Sequence, residues 1–276
     1  MNQSKKTLLL LAAIPVLLLL LISAGGNWLS PHDPYQQQLS LALQPPNADY
    51  PLGTDRYGRC LLSRILSGAG ISVWTALLLT LAAAFSGTAS GLYCGFYYRQ
   101  LPDKLLTQII NVMLAFPGLI LALAITGFLG GGLFHAAAAL LCSAWAPYAR
   151  LVRRQVITIK SAPYIEAARL CGCTDKEIIF RYLLPAAIKP VILMAAANIG
   201  TMLLSLSALS FLGLGAQPPT AEWGAMLSSN RNLLQLAPWT VFAPGAALLL
   251  SVCSFNFLGN VLHDALEPDK NSLLKE

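Results

Sequence analysis

The side chains that could do catalytic or metal chemistry are few and dispersed. Histidines stand at positions 32, 135 and 263 and cysteines at 60, 94, 142, 171, 173 and 253, without the paired spacings of a zinc or redox centre. Only Cys171 and Cys173 lie close together, as a CxC around Gly172, and they read as small packing residues. There is no G-x-x-x-x-G-K-[ST] run to cradle phosphates, no H-E-x-x-H, no nucleophile elbow and no carboxylate pair inside an apolar stretch. The expectation is a chain that is not an enzyme, holds no metal and carries no cofactor of its own. An intramembrane enzyme or a membrane scaffold is the distant alternative. The remaining chemistry is that of polar groups in apolar surroundings. Asn198 and Thr201 interrupt a hydrophobic run, where such residues face protein or a water-filled path. Pro117 lacks the donor a helix needs and kinks it, either as a structural bend alone or as a bend that lines a pathway.

The elements that must carry these groups are membrane spans. The chain has 276 residues, of which 56% are hydrophobic and only 11% charged, far from the balance of a soluble domain. Apolar windows near the length needed to cross a bilayer, about 20 residues, fall at 7–23, 71–97, 105–128, 133–149, 191–215 and 240–262. The expected fold is an all-α integral membrane protein with six transmembrane helices. Its divisions are an N-terminal span and extracytoplasmic segment over 1–70, a transmembrane domain over 71–265 and a tail over 266–276. The first window resembles a secretory leader, but Ser23-Ala24-Gly25-Gly26 is a weak cleavage site, so a retained span is expected. Gly87, Ser90, Gly91 and Gly95 have the small-residue spacing that lets helices approach closely.

The net charge of +6 does not call for nucleic acid, because the basic residues flank the spans. Arg150, Arg153, Arg154, Lys160, Arg169, Lys176, Arg181 and Lys189 face only Glu166, Asp175 and Glu177, which puts this loop on the cytoplasmic side. Six spans then leave both termini cytoplasmic, with Arg56, Arg59, Arg64 and Arg231 outside. Membrane lipid is the expected surrounding. Within the basic loop, 161–185 reads as two short helices. Pro163 suits a first turn, Gly172 is a left-handed stop, Thr174 and Glu177 form a capping box, and the second helix is expected to end at Leu184-Pro185.

Glu166-Ala167-Ala168, then Gly172, then Leu184-Pro185 resemble the EAA loop of ABC importer permeases, with Tyr182 where that family has an aliphatic residue. The run PLGTDRYGR at 51–59 is similar to an LGTD-x-x-GRD segment of the dipeptide, oligopeptide and nickel branch, with Cys60 in place of the final aspartate. PPTAEWGAML at 218–227 and the stretch His263 to Asp269 resemble the same branch. Trp239 reads as an interface aromatic.

The resemblance implies a MetI-like type I permease of the bacterial inner membrane. Glu166, Ala167, Ala168, Gly172, Leu184 and Pro185 would couple it to an ATPase, and Pro117, Asn198 and Thr201 are its pathway candidates. The implied partners are a second homologous permease, two ATPases that bind ATP and Mg, and an extracytoplasmic solute-binding protein. Compact length and the PTAEWG run resemble the nickel-type second permease, so nickel or a metal chelate is the expected cargo and a dipeptide or oligopeptide the alternative.

Overall fold

The computed structural model describes residues 3–266. Ten α-helices follow one another among the described residues, with no strand beyond a single bridge between Thr54 and Cys60. They are α1 Gln3–Leu29, α2 Leu61–Phe96, α3 Leu101–Ala115, α4 Gly118–Leu129, α5 Leu133–Lys160, α6 Pro163–Leu170, α7 Asp175–Ile178, α8 Leu184–Phe211, α9 Trp223–Asn230 and α10 Trp239–Leu266. Four stretches are long and apolar enough to cross a membrane: Thr7–Leu29, Leu61–Phe96, Asp175–Phe211 and Trp239–Ala265. α3 and α4 together supply a fifth, and α5 is the remaining long helix of the six-helix pattern. Leu10, Leu21, Phe85, Leu249 and Leu250 lie exposed on these helices, as they do where lipid rather than water is the surrounding solvent.

Several boundaries differ from the sequence reading; α5, for one, runs on to Lys160 past the expected end at 149. α2 begins at Leu61, well before the expected start at 71, because its early glycines are contact points rather than loop residues. A Cβ on Gly68 would stand 2.7 Å from the Ala221 carbonyl oxygen. The expected kink at Phe116-Pro117 is a full break, with α3 and α4 bent by 91°. Proline bars the preceding residue from helical angles, and Phe116 is extended at φ −97, ψ 139.

α7 does not stop at Leu184-Pro185. It passes through a π turn, Ile179–Leu183, directly into α8. The wider turn lies where the Pro185 ring would crowd the carbonyl of Arg181 in a regular helix. The expected fifth span ends at Phe211 rather than 215. In the expected tail, Glu267, Pro268, Asp269 and the residues after them lie outside the described residues.

The chain forms two compact units. One contains α1, the loop after it, α2 up to Ala76, Ala196–Phe211 of α8 and the chain from Pro218 on. Here α1 packs along α10, and the small residues of the weak cleavage motif serve contact. A Cβ on Gly26 would fall 2.1 Å from the Leu66 carbonyl oxygen. Gly200 and Gly259 do the same between α8 and α10, facing Asn256 Oδ1 and Ala197 Cα at 2.6 and 2.8 Å.

The other unit comprises Leu77–Ala195 and Leu212–Gln217. Its α3 and α4 both pack on α5. The glycine ladder of α2 meets α5 directly, since a Cβ on Gly91 would lie 2.6 Å from the Ala149 carbonyl oxygen and 2.8 Å from Val152 Cβ. Backbone and a β-branched side chain cannot retreat, so Gly91→Val should cost about 1–3 kcal/mol by overpacking. A clear fall in the unfolding temperature of the detergent-purified protein is expected; an unchanged value would refute the close contact.

Candidate functional site

The second unit carries the polar loop on a hydrophobic base. Phe96 of α2, Tyr148, Val152 and Val156 of α5, Ile165 of α6, Ile178 of α7, Leu183 of the π turn and Ala187 and Val191 of α8 form one buried cluster. Both short helices are thus amphipathic pieces whose inner residues are fixed to three long helices. Between them the chain makes a Schellman turn. The Cys173 N–H donates to the Ala168 carbonyl and the Gly172 N–H to the Arg169 carbonyl, each at 3.0 Å, with Gly172 at φ +86. α7 then opens with the expected capping box: Glu177 N–H donates to Thr174 Oγ1, and Thr174 N–H to Glu177 Oε2 at 2.7 Å.

This turn sorts the predicted residues. Glu166 and Ala167 face outward and Ala168 is buried under them, so the last of the three is a packing residue. Gly172 and Pro185 are exposed and Leu184 is half-buried. All six coupling candidates therefore sit on one structural piece. Sequence reasoning missed its most prominent feature: Leu170 is 90% exposed, and Phe180 and Tyr164 of the same stretch are also exposed. The signal was available, because Leu170 falls out of register with the inward positions Ile165 and Ala168. Tyr182, the departure from the family pattern, pairs with Tyr164 at 6.4 Å between ring centroids.

Ionic contacts brace the base. Lys160, at the end of α5, donates to the Phe96 carbonyl and lies over the Phe96 ring. Burial pushes its ammonium below the usual lysine range, Arg169 adding to the effect and Asp175 opposing it. Asp103 of α3 accepts a bidentate pair from Arg153 of α5 at 2.6 and 3.0 Å.

Of the pathway candidates, Asn198 and Thr201 share one turn of α8 in the first unit, Asn198 half-buried and Thr201 exposed. Pro117 belongs to the second unit, at the exposed N-cap of α4.

The two glycine-bearing motifs are built into the first unit. In PLGTDRYGR, Gly53 and Gly58 have φ of 75 and 71, and Cys60 is buried in the bridge to Thr54. Within the run, Asp55 Oδ2 accepts from Arg59 Nε at 2.7 Å. Trp239 is not merely an interface aromatic, because its Nε1 donates to the Thr54 carbonyl at 3.3 Å. In PPTAEWG, Trp223 Nε1 donates to the Ile65 carbonyl, and the buried Glu222 caps α9 through Gly224 and Ala225 N–H. Glu222 Oε1 also accepts from Ser72 Oγ of α2 and Ser207 Oγ of α8. Among the described residues no group of three or more metal-ligating side chains converges.

Long apolar helices with an outward amphipathic loop are the build of a membrane transport subunit. The profile of the family described as "binding-protein-dependent transport system inner membrane component" matches residues 87–272, and the chain belongs to that family, the permease subunits of binding-protein-dependent ABC importers. The dipeptide transport system permease of Alkalihalophilus pseudofirmus is 42% identical over 233 residues, 84% of this chain and 76% of that one. The glutathione transport system permease of Pectobacterium atrosepticum is 39% identical over 227 residues, 82% and 75% of the two chains. The inward-facing MetNI methionine ABC transporter shares the fold, with a TM-score of 0.52 at 22% identity over 71% of this chain and 95% of that one. Family membership implies an ATPase and a solute-binding protein as partners.

Proposed function

We propose that this permease carries small peptides inward and is driven through the α6–α7 loop. The observation that carries the coupling half is the outward surface of Glu166, Ala167, Leu170 and Phe180 held on a buried base. An exposed leucine and phenylalanine on a loop flanked by arginines and lysines suit a protein groove rather than lipid. The groove belongs to an ATPase subunit, where ATP and Mg are bound, and the loop moves with it as a rigid body. Basic residues concentrated around the loop support its cytoplasmic placement, with both termini on that side and the residues after α1 outside. One such chain forms half a pathway in the bacterial inner membrane, completed by a second related permease. Pro117, Asn198 and Thr201 are kept as pathway residues.

For the cargo, the expectation of nickel gains no support from relatives named for dipeptide and glutathione transport, and the peptide alternative is preferred. In a strain lacking this chain, uptake of labelled di- and tripeptides should be lost while radioactive nickel uptake continues. The reverse result would overturn the peptide reading.

A further inference from the structure

The Asp55–Arg59 turn gathers more positive charge than it neutralises. Asp55 is buried, and its two oxygens are occupied. Oδ1 accepts from the Tyr57 and Arg59 backbone N–H groups at 2.8 and 3.0 Å, and Oδ2 bonds Arg59 Nε and Nη2 at 2.7 and 2.6 Å. Arg64, in the first turns of α2 and also buried, stands 3.7 Å from the same Oδ2. It donates to the carbonyls of Pro34 and Pro219 at 3.0 and 3.4 Å. Exposed Arg56 adds a third cation, and the Arg56 and Arg59 guanidiniums both lie over the Tyr57 ring, at 4.8 and 4.7 Å. Two arginines therefore share one carboxylate, and a third lies nearby over Tyr57. The acid at the start of α9, Glu222, is engaged by serines and backbone N–H groups.

A cavity of about 20 Å³ opens among these arginines, walled on its other side by Thr220 and by Ser229 and Asn230 of α9. Such a space admits small polar groups. Arg59 lines it, and among the described residues no partner is found for its Nη1. A guanidinium carries five donors in a planar fork suited to a carboxylate, so the cleft combines excess positive charge with a donor still to be used.

We propose that this cleft is a carboxylate subsite, receiving the terminal carboxylate of a peptide on its way to the pathway. The assignment rests on the peptide reading above. A route that accepts many peptides can read only what all of them share, and a free carboxylate is such a feature.

The test uses membrane vesicles carrying the assembled importer with Ser229→Cys, a half-buried wall position. The modification rate at residue 229 is read by peptide mass spectrometry with small methanethiosulfonates, one anionic and one cationic. The anionic reagent should react about tenfold faster, the lower end of electrostatic focusing in a charged cleft. Dialanine should slow that reaction and dialanine amide should not. Arg59→Lys should keep the charge preference and weaken the protection, because charge remains while the fork is lost.

Equal rates for the two reagents, or equal effects of dialanine and its amide, would overturn the subsite. Protection is read without transport, so it decides the cleft whatever uptake shows. Dialanine uptake without protection removes this assignment and leaves the peptide reading standing. Protection without uptake of any peptide supports the cleft chemistry and removes the peptide reading.

Discussion

Transport by Gly172→Val importers should fall at least tenfold while the permease still inserts and purifies in normal amounts. Nothing lies within 4 Å of a Cβ built at Gly172, so the defect is not crowding. It comes from φ +86, which costs an L side chain about 1–2 kcal/mol, more when β-branched. The Schellman bonds from Cys173 and Gly172 depend on that angle, and with them the direction in which α7 leaves α6. Gly172→Asn is the control, since asparagine adopts the left-handed conformation more readily, and it should keep most of the activity. Leu170→Asp attacks the same surface without touching the turn. Replacing a 90% exposed leucine leaves the fold intact but puts a charge where an apolar anchor would be buried on docking. A loss of about 2 kcal/mol of association corresponds to roughly thirtyfold weaker binding of the ATPase. Co-purification of the ATPase and uptake measured together decide the matter: either Gly172→Val or Leu170→Asp with normal values of both would remove the loop from the coupling path.

The sequence exposed these features unevenly, and the reasons are physical. The capping box of Thr174 and Glu177 and the stop at Gly172 are legible because both are local, each set by residues no more than five apart. The glycine ladder of α2 was legible as a contact surface, but not its partner, since only the fold brings Trp145, Ala149 and Val156 to it. Proline was read too simply in two places. At Pro117 the break is sharper than a kink, and at Pro185 it is milder, because a π turn carries the helix past it. The start of α2 is not legible because Gly68 and Gly70 look like loop residues until Ala221 and Ser23 are seen beside them. Glu222 was hidden for a related reason: its partners Ser72 and Ser207 lie far away in the chain and become neighbours only in the folded unit. The outward leucine at 170 could have been found from helix periodicity alone.

Asp103→Ala should be the most destabilising single substitution at the base of the loop. The carboxylate is only 3% exposed and collects four donors: Arg153 Nε and Nη2, the Arg99 backbone N–H at 2.9 Å and Thr107 Oγ1 at 3.1 Å. Its bond to Arg99 also holds that residue at φ 66, an angle unusual for an arginine, in the turn between α2 and α3. Removing one partner of a buried ion pair costs about 3–5 kcal/mol because the other charge stays behind. Arg153 keeps 21% of its side chain exposed, so the lower end, about 3 kcal/mol, is expected. Asp103→Asn keeps the acceptor for Arg99 and should fall between the two. The double variant Asp103→Ala/Arg153→Met removes the stranded charge along with its partner and should recover most of the loss. Thermal unfolding of these proteins together with Arg153→Met in detergent gives the coupling energy. If the double variant were no more stable than Asp103→Ala, the loss would come from the Arg99 turn and not from the ion pair. An Asp103→Ala protein as stable as the wild type would show that the contact does not brace α3 against α5 at all.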